Sequence, residues 1–101
     1  MGTLTLSMAQ GEGLWLMQEG KPSERWVIDE VFLSRGFILK GPDGRLLQVH
    51  PDDEVEIAEE VWVSDGHRLI VGRARIVLNA PKKVTILRDE LYEERKRREA
   101  A

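Results

Sequence analysis

A chain of 101 residues with no cysteine and a net charge of −3 reads as one domain of modest stability. The missing cysteines exclude a disulfide framework and thiolate-ligated zinc, and no apolar run nears the ~18 residues of a membrane-spanning helix. The start, Met1 to Leu6, lacks the basic and apolar stretches of a signal peptide, so a cytoplasmic protein is the simplest expectation.

Leu4 and Leu6 alternate with Thr3, Thr5 and Ser7, which predicts a half-buried opening strand. Gly11-Glu12-Gly13 breaks that strand before Leu14-Trp15-Leu16-Met17. Gln18 to Glu24, with Gly20 and Pro22, reads as a loop. Trp26 to Leu33 is β-rich, and Ser34-Arg35-Gly36 turns it. Phe37-Ile38-Leu39 and Arg45 to Val49 flank Gly41-Pro42-Asp43-Gly44, the signature of a hairpin. A second hairpin is predicted where Val55, Ile57, Val61 and Val63 lead to Ser64-Asp65-Gly66-His67, and Leu69 and Val71 lead away. Asp-Gly supplies the positive φ angles of a tight turn. Ala58-Glu59-Glu60 interrupts the alternation as a bulge or an exposed edge.

Gly72 marks an irregularity before a strand from Arg73 to Leu78; Pro81 then turns the chain, and Val84 to Leu87 form the last strand. From Asp89 to about residue 100 the pattern is helical. Asp89 is a plausible N-cap, Glu90, Glu93 and Glu94 complement the positive end of the dipole, and Arg95 to Arg98 its negative end. Leu91 and Tyr92 supply the apolar contact. The predicted class is mostly β: a single small antiparallel, barrel-like domain with one C-terminal helix.

Charge is unevenly spread. Residues 1–66 hold five Lys/Arg against thirteen Asp/Glu, and residues 67–101 hold ten against five. A basic surface on an acidic protein is therefore open, as is a plain set of solvated charges.

The run Leu78-Asn79-Ala80-Pro81-Lys82-Lys83-Val84-Thr85-Ile86-Leu87-Arg88-Asp89-Glu90-Leu91-Tyr92 resembles the closing half of the carbon storage regulator (CsrA/RsmA) family, small bacterial RNA-binding regulators of translation. In that family an Asn-Ala-Pro-Lys corner leads into a last strand ending in an arginine, then acids and the helix. Leu4-Thr5-Leu6-Ser7 followed by Gly11-Glu12 resembles its opening strand and turn, and Arg75-Ile76 falls in the matching half. Together these cover about half of the chain. The resemblance implies five strands and a helix in an interwoven homodimer, the first strand of one subunit lying beside the last strand of the other. RNA with a GGA motif would bind along those two edges, on Arg88, Leu87, Ile86, Lys82, Leu4, Thr5, Leu6 and Ser7. The chain departs from the family in two ways. Met8 and Ala9 stand where two basic residues are usual, and about thirty-four residues, Met17 to His50, are inserted after the opening strands. Their β-rich content predicts additional strands.

An arginine fork bonds a guanine edge or a phosphate bidentately, which is the case for Arg88; the alternative is an ion pair with Asp89 or Glu90. Lys82 and Lys83 stand ready for phosphates or simply form an exposed corner. Arg73 and Arg75 are expected to decorate an exposed sheet face. Trp15, Trp26 and Trp62 lie in strand-like runs, which favours core or interface packing over base stacking. His50 and His67 make a poor metal site, and Asp52-Asp53-Glu54 and Glu59-Glu60 lack any partner base, nucleophile or calcium-loop spacing. No catalytic, cofactor or metal site is expected. The resemblance thus implies a GGA-binding RNA regulator of translation. Beside it stand a protein-interaction module on the same scaffold, using the insertion as its binding face, and an unrelated barrel sharing only the closing unit.

Overall fold

The computed structural model describes residues 2–32, 36–66 and 72–100. Among them run nine strands and one helix: β1 (Gly2–Ala9), β2 (Gly13–Met17), β3 (Glu24–Val31), β4 (Phe37–Lys40), β5 (Leu46–Val49), β6 (Glu54–Ala58), β7 (Val61–Asp65), β8 (Arg73–Ala80), β9 (Thr85–Arg88) and α1 (Asp89–Ala100). They form two antiparallel sheets, β1-β8-β7-β6 and β5-β4-β3-β2-β9.

Period-two patterning builds both sheets. Leu6 and Met8 on β1 face the same side as Ile76 and Ala74 on β8, and Val61 and Val63 on β7 join them. On the second sheet Leu14, Leu16, Trp26, Ile28, Phe37, Leu39 and Val49 do the same. All of these side chains belong to one continuous cluster. Each such burial contributes about 1.5–3 kcal/mol. The residues expected as an insertion, Met17 to His50, are therefore structural: they supply β3, β4 and β5, and Trp26, Ile28, Phe37, Leu39 and Val49 of those strands are core.

The β4–β5 hairpin turns at Gly41–Gly44 as expected, with Gly44 at φ 84°. The irregularity expected at Ala58-Glu59-Glu60 is present, since the register shifts between Glu56 and Ala58; Glu59-Glu60 then turn the chain from β6 into β7, so the long strand is two, and Glu60 takes φ 62° without being glycine. Two ion pairs converge on this turn, Lys21–Glu59 (3.5 Å) from the inserted loop and Lys83–Glu60 (3.7 Å) from the Pro81 corner. The expected turn at Ser34-Arg35 and the arm from His67 to Val71 lie outside the described residues. Three connections cross between the sheets: Gln10–Glu12, the segment from β5 to β6, and the Pro81 corner, where the Val84 N–H donates to the Pro81 carbonyl at 3.0 Å.

No described helix is long and apolar enough to cross a membrane.

Candidate nucleic-acid interface

The strands singled out by sequence sit at two sheet edges. Among the described residues β1 pairs only with β8 and β9 only with β2, so each keeps one edge open there, and ladder phase fixes which main-chain groups point to it. In an antiparallel ladder, alternate residues bond to one neighbour and the rest address the other side. The Gly66 N–H donates to the Arg75 carbonyl at 2.7 Å, which commits Arg75, Val77 and Asn79 to β7. Ala74, Ile76 and Leu78 then bond β1 through Met8, Leu6 and Leu4. Thr3, Thr5, Ser7 and Ala9 are left facing outward.

Two of those four are closed by side chains. The Glu12 carboxylate accepts from the Ala9 N–H at 2.5 Å, and Arg73 Nη2 donates to the Ser7 carbonyl at 2.8 Å. Arg73 Nε also donates to Ser7 Oγ at 2.9 Å, and its Nη2 meets Glu12 at 3.3 Å. Arg73 is thus an edge closure, and the open part of β1 reduces to Thr3 and Thr5. Capping of this kind limits unwanted strand addition.

β9 follows the same alternation. The Ile28 N–H donates to the Glu12 carbonyl at 2.9 Å, so Glu12, Leu14 and Leu16 address β3, while Trp15 and Met17 bond Leu87 and Thr85. Ile86 and Arg88 point their main-chain groups outward.

Between these edges, on the unclosed side of the sandwich, lies a groove of about 210 Å³. Leu4, Leu78, Val84 and Ile86 make its apolar floor, and Thr3 and Lys82 stand at its rim. The strands that the resemblance draws from two subunits here flank one groove of a single chain. Arg88 shares the face of Ile86, because their partners Leu16 and Leu14 are consecutive inward positions of β2. It lies two residues, ~7 Å, farther along β9. Among the described residues its side chain makes no hydrogen bond or ion pair, so the expected pairing with Asp89 or Glu90 does not occur.

Asp89 is occupied elsewhere. Its Oδ1 and Oδ2 accept from Arg25 Nε (3.0 Å) and Nη2 (2.6 Å), from Trp15 Nε1 (3.0 Å) and from the Gly13 N–H (3.1 Å). The guanidinium holds the Asp89 carboxyl below its ordinary range, chiefly by hydrogen bonding, and the Asp89 carboxylate raises Arg25 in turn. Gly13 must be glycine for this approach, since a Cβ there would lie 2.8 Å from Arg25 Nε and 2.9 Å from Asp89 Oδ1. Trp15 stacks on Tyr92 with centroids 3.8 Å apart and planes 6° from parallel, and Lys96 sits 5.5 Å from the Tyr92 ring. This cluster fixes α1 on the outer face of β2 and β9, and so sets where β9 ends.

The remaining expected residues are dispersed. Leu87 points to the Trp15 side, away from the groove, with its main chain spent on β2. Leu6 is buried, Thr5 lies on the outer face of the first sheet, and Ser7 is held by Arg73. Met8 is 2% exposed, so the position where the family carries a basic residue faces the core here. Trp26 is core, while Trp62 lies half-buried on the outer face opposite Asn79. Sequence reasoning missed Arg25, whose partner is 64 residues away, and no local signal marks it. No protein-family model matches the chain, and no curated protein or solved structure matches it significantly.

Proposed function

We propose that this protein is an RNA-binding post-transcriptional regulator that takes a GGA-type loop of an mRNA leader or small RNA into the β1/β9 groove and modulates translation by occluding the leader. The observation that carries this reading is one groove lined by Thr3 and Leu4 of β1 and by Ile86 of β9, with Lys82 at its rim; Thr5 and Arg88 continue the two strands beyond it, and Arg88 is free of any described internal partner. Splayed loop bases offer edges that strand N–H and C=O groups bond. An arginine fork adds guanine discrimination, and a lysine adds phosphate affinity. Such a regulator works in the cytoplasm, and a homodimer would present two grooves to one RNA with a gain in avidity.

The test is binding of a hairpin RNA displaying GGA in its loop, across a salt series, beside Arg88→Ala. The expected loss in the variant is roughly 5- to 150-fold, the worth of one bidentate base contact, and replacing GGA in the loop should cost a similar factor. Equally poor binding of every loop would overturn the proposal. The protein-interaction module on the same scaffold would then lead, a reading that the buried Met8 already favours.

A further inference from the structure

The helix covers the second sheet, packing against β2 and β9, and no described helix or strand is layered on the outer face of the first. Register lays out that face in rows. Thr3, Asn79, Trp62 and Glu56 form one row; Thr5, Val77, Ser64 and Glu54 the next; Ser7 and Arg75 a third. Thr3 and Thr5 are exposed, and Trp62, Ser64, Arg75, Val77 and Asn79 are half-buried. The rows therefore hold an indole, four hydroxyls, a carboxamide and the Arg75 guanidinium, beside a groove already lined by Thr3.

Arg75 is placed rather than loose. Its stem lies across Gly66, where a Cβ would come within 2.6 Å of Arg75 Cγ. Its guanidinium makes no hydrogen bond or ion pair among the described residues. Trp62 and Arg75 are separated by four residues along the strands, ~14 Å. Glu54 and Glu56 close the face on the β6 side, so a polyanion crossing it is steered toward β8 and β1. Glu56 is itself tied to the turn by the Glu60 N–H at 3.1 Å.

We propose that this outer face is a second contact surface for single-stranded RNA, which leaves the groove over Thr3, stacks a base on Trp62 and sets a phosphate on Arg75. Its ligand rests on the RNA reading of the groove. Aromatic stacking is tolerant of sequence, so the surface lengthens the footprint without adding to the GGA code.

The experiment compares a GGA hairpin with the same hairpin carrying a uridine tail of about eight nucleotides on either end, and with the tail alone. One tailed form should bind about tenfold more tightly than the bare hairpin, the worth of a stacked base. Trp62→Leu and Arg75→Gln should each remove most of that gain and leave the bare hairpin within about twofold. Trp62→Phe, which keeps a ring, should retain it. If Trp62→Leu fails to fold, Arg75→Gln carries the comparison. A tail that adds nothing overturns the proposal, as does a Trp62→Leu loss equal for bare and tailed RNA. If the tail alone binds through Trp62 while the hairpin loop is ignored, the face stands and the groove reading falls. If no RNA binds, both fall.

Discussion

Replacing Asp89 by alanine removes four hydrogen bonds that join the opening strands, the inserted strand β3 and the helix. An intact bond to a charged group contributes about 1.5–3 kcal/mol. The Arg25 side chain is 41% exposed, so solvent screening reduces that pair to about 1 kcal/mol. The Trp15 and Gly13 bonds each contribute about 1 kcal/mol, and the acid at the helix start about 0.5–1 kcal/mol. They share one carboxylate and do not add fully, so the expected loss is about 2–4 kcal/mol. For a domain of this size that lowers Tm by roughly 10–25 °C. The pH dependence has a definite sign. Because the folded carboxyl titrates below its ordinary value of 3.8, the unfolded chain takes up the proton first. The contribution is full above about pH 4 and is lost as the pH falls through the folded value. Urea unfolding of wild type, Asp89→Ala and Asp89→Asn, followed by circular dichroism from pH 7 to pH 3, measures both effects. A loss under about 1 kcal/mol in Asp89→Ala would refute the reasoning, as would an acid limb in Asp89→Asn as steep as in wild type.

Arg73→Ala reopens the Ser7 end of β1, and the expected result is concentration-dependent self-association by sedimentation beside a stability loss of about 1 kcal/mol; a variant that stays as monodisperse as wild type shows that the guanidinium does not guard the edge. Phe37→Ala, at a fully buried inserted residue, should cost about 3–5 kcal/mol in one cooperative transition seen by every probe. A two-step unfolding curve would show instead that the inserted strands form a separate unit.

Much of the fold was legible because alternation and turn chemistry are local. Gly41-Pro42-Asp43-Gly44 announced its hairpin, and the acid-then-base order from Asp89 announced the helix. The β6–β7 turn was hidden because Ala58-Glu59-Glu60 contains no turn residue; Glu60, whose N–H donates to Glu56 and whose carboxylate meets Lys83, takes a conformation glycine would adopt freely. The tryptophans were sortable by strand parity. Trp62 falls between inward Val61 and Val63 and so must face out, whereas Trp26 is in phase with inward Ile28. The groove was half legible. Leu4, Lys82 and Ile86 do converge, yet which main-chain groups remain open depends on ladder phase, and phase depends on distant partners such as Glu12 with Ile28.

The connectivity of the two sheets also has a kinetic side. The hairpins β3–β4–β5 and β6–β7 close over short spans, while β1 waits for β8 and the second edge of β2 waits for β9, with cross-links such as Gly13 to Asp89 spanning 76 positions. Such non-local pairing slows folding toward milliseconds to seconds. On a ribosome adding about 5–20 residues per second, β1 stays unmatched for roughly 4–14 s. Both sheets are then completed within a few residues of each other, one by β8 and one by β9, with only the Pro81 corner between them. Assembly of the two layers is thereby synchronised, and a nascent chain stalled before Arg73 would lack both closing strands and hold two incomplete apolar layers that chaperones must shield.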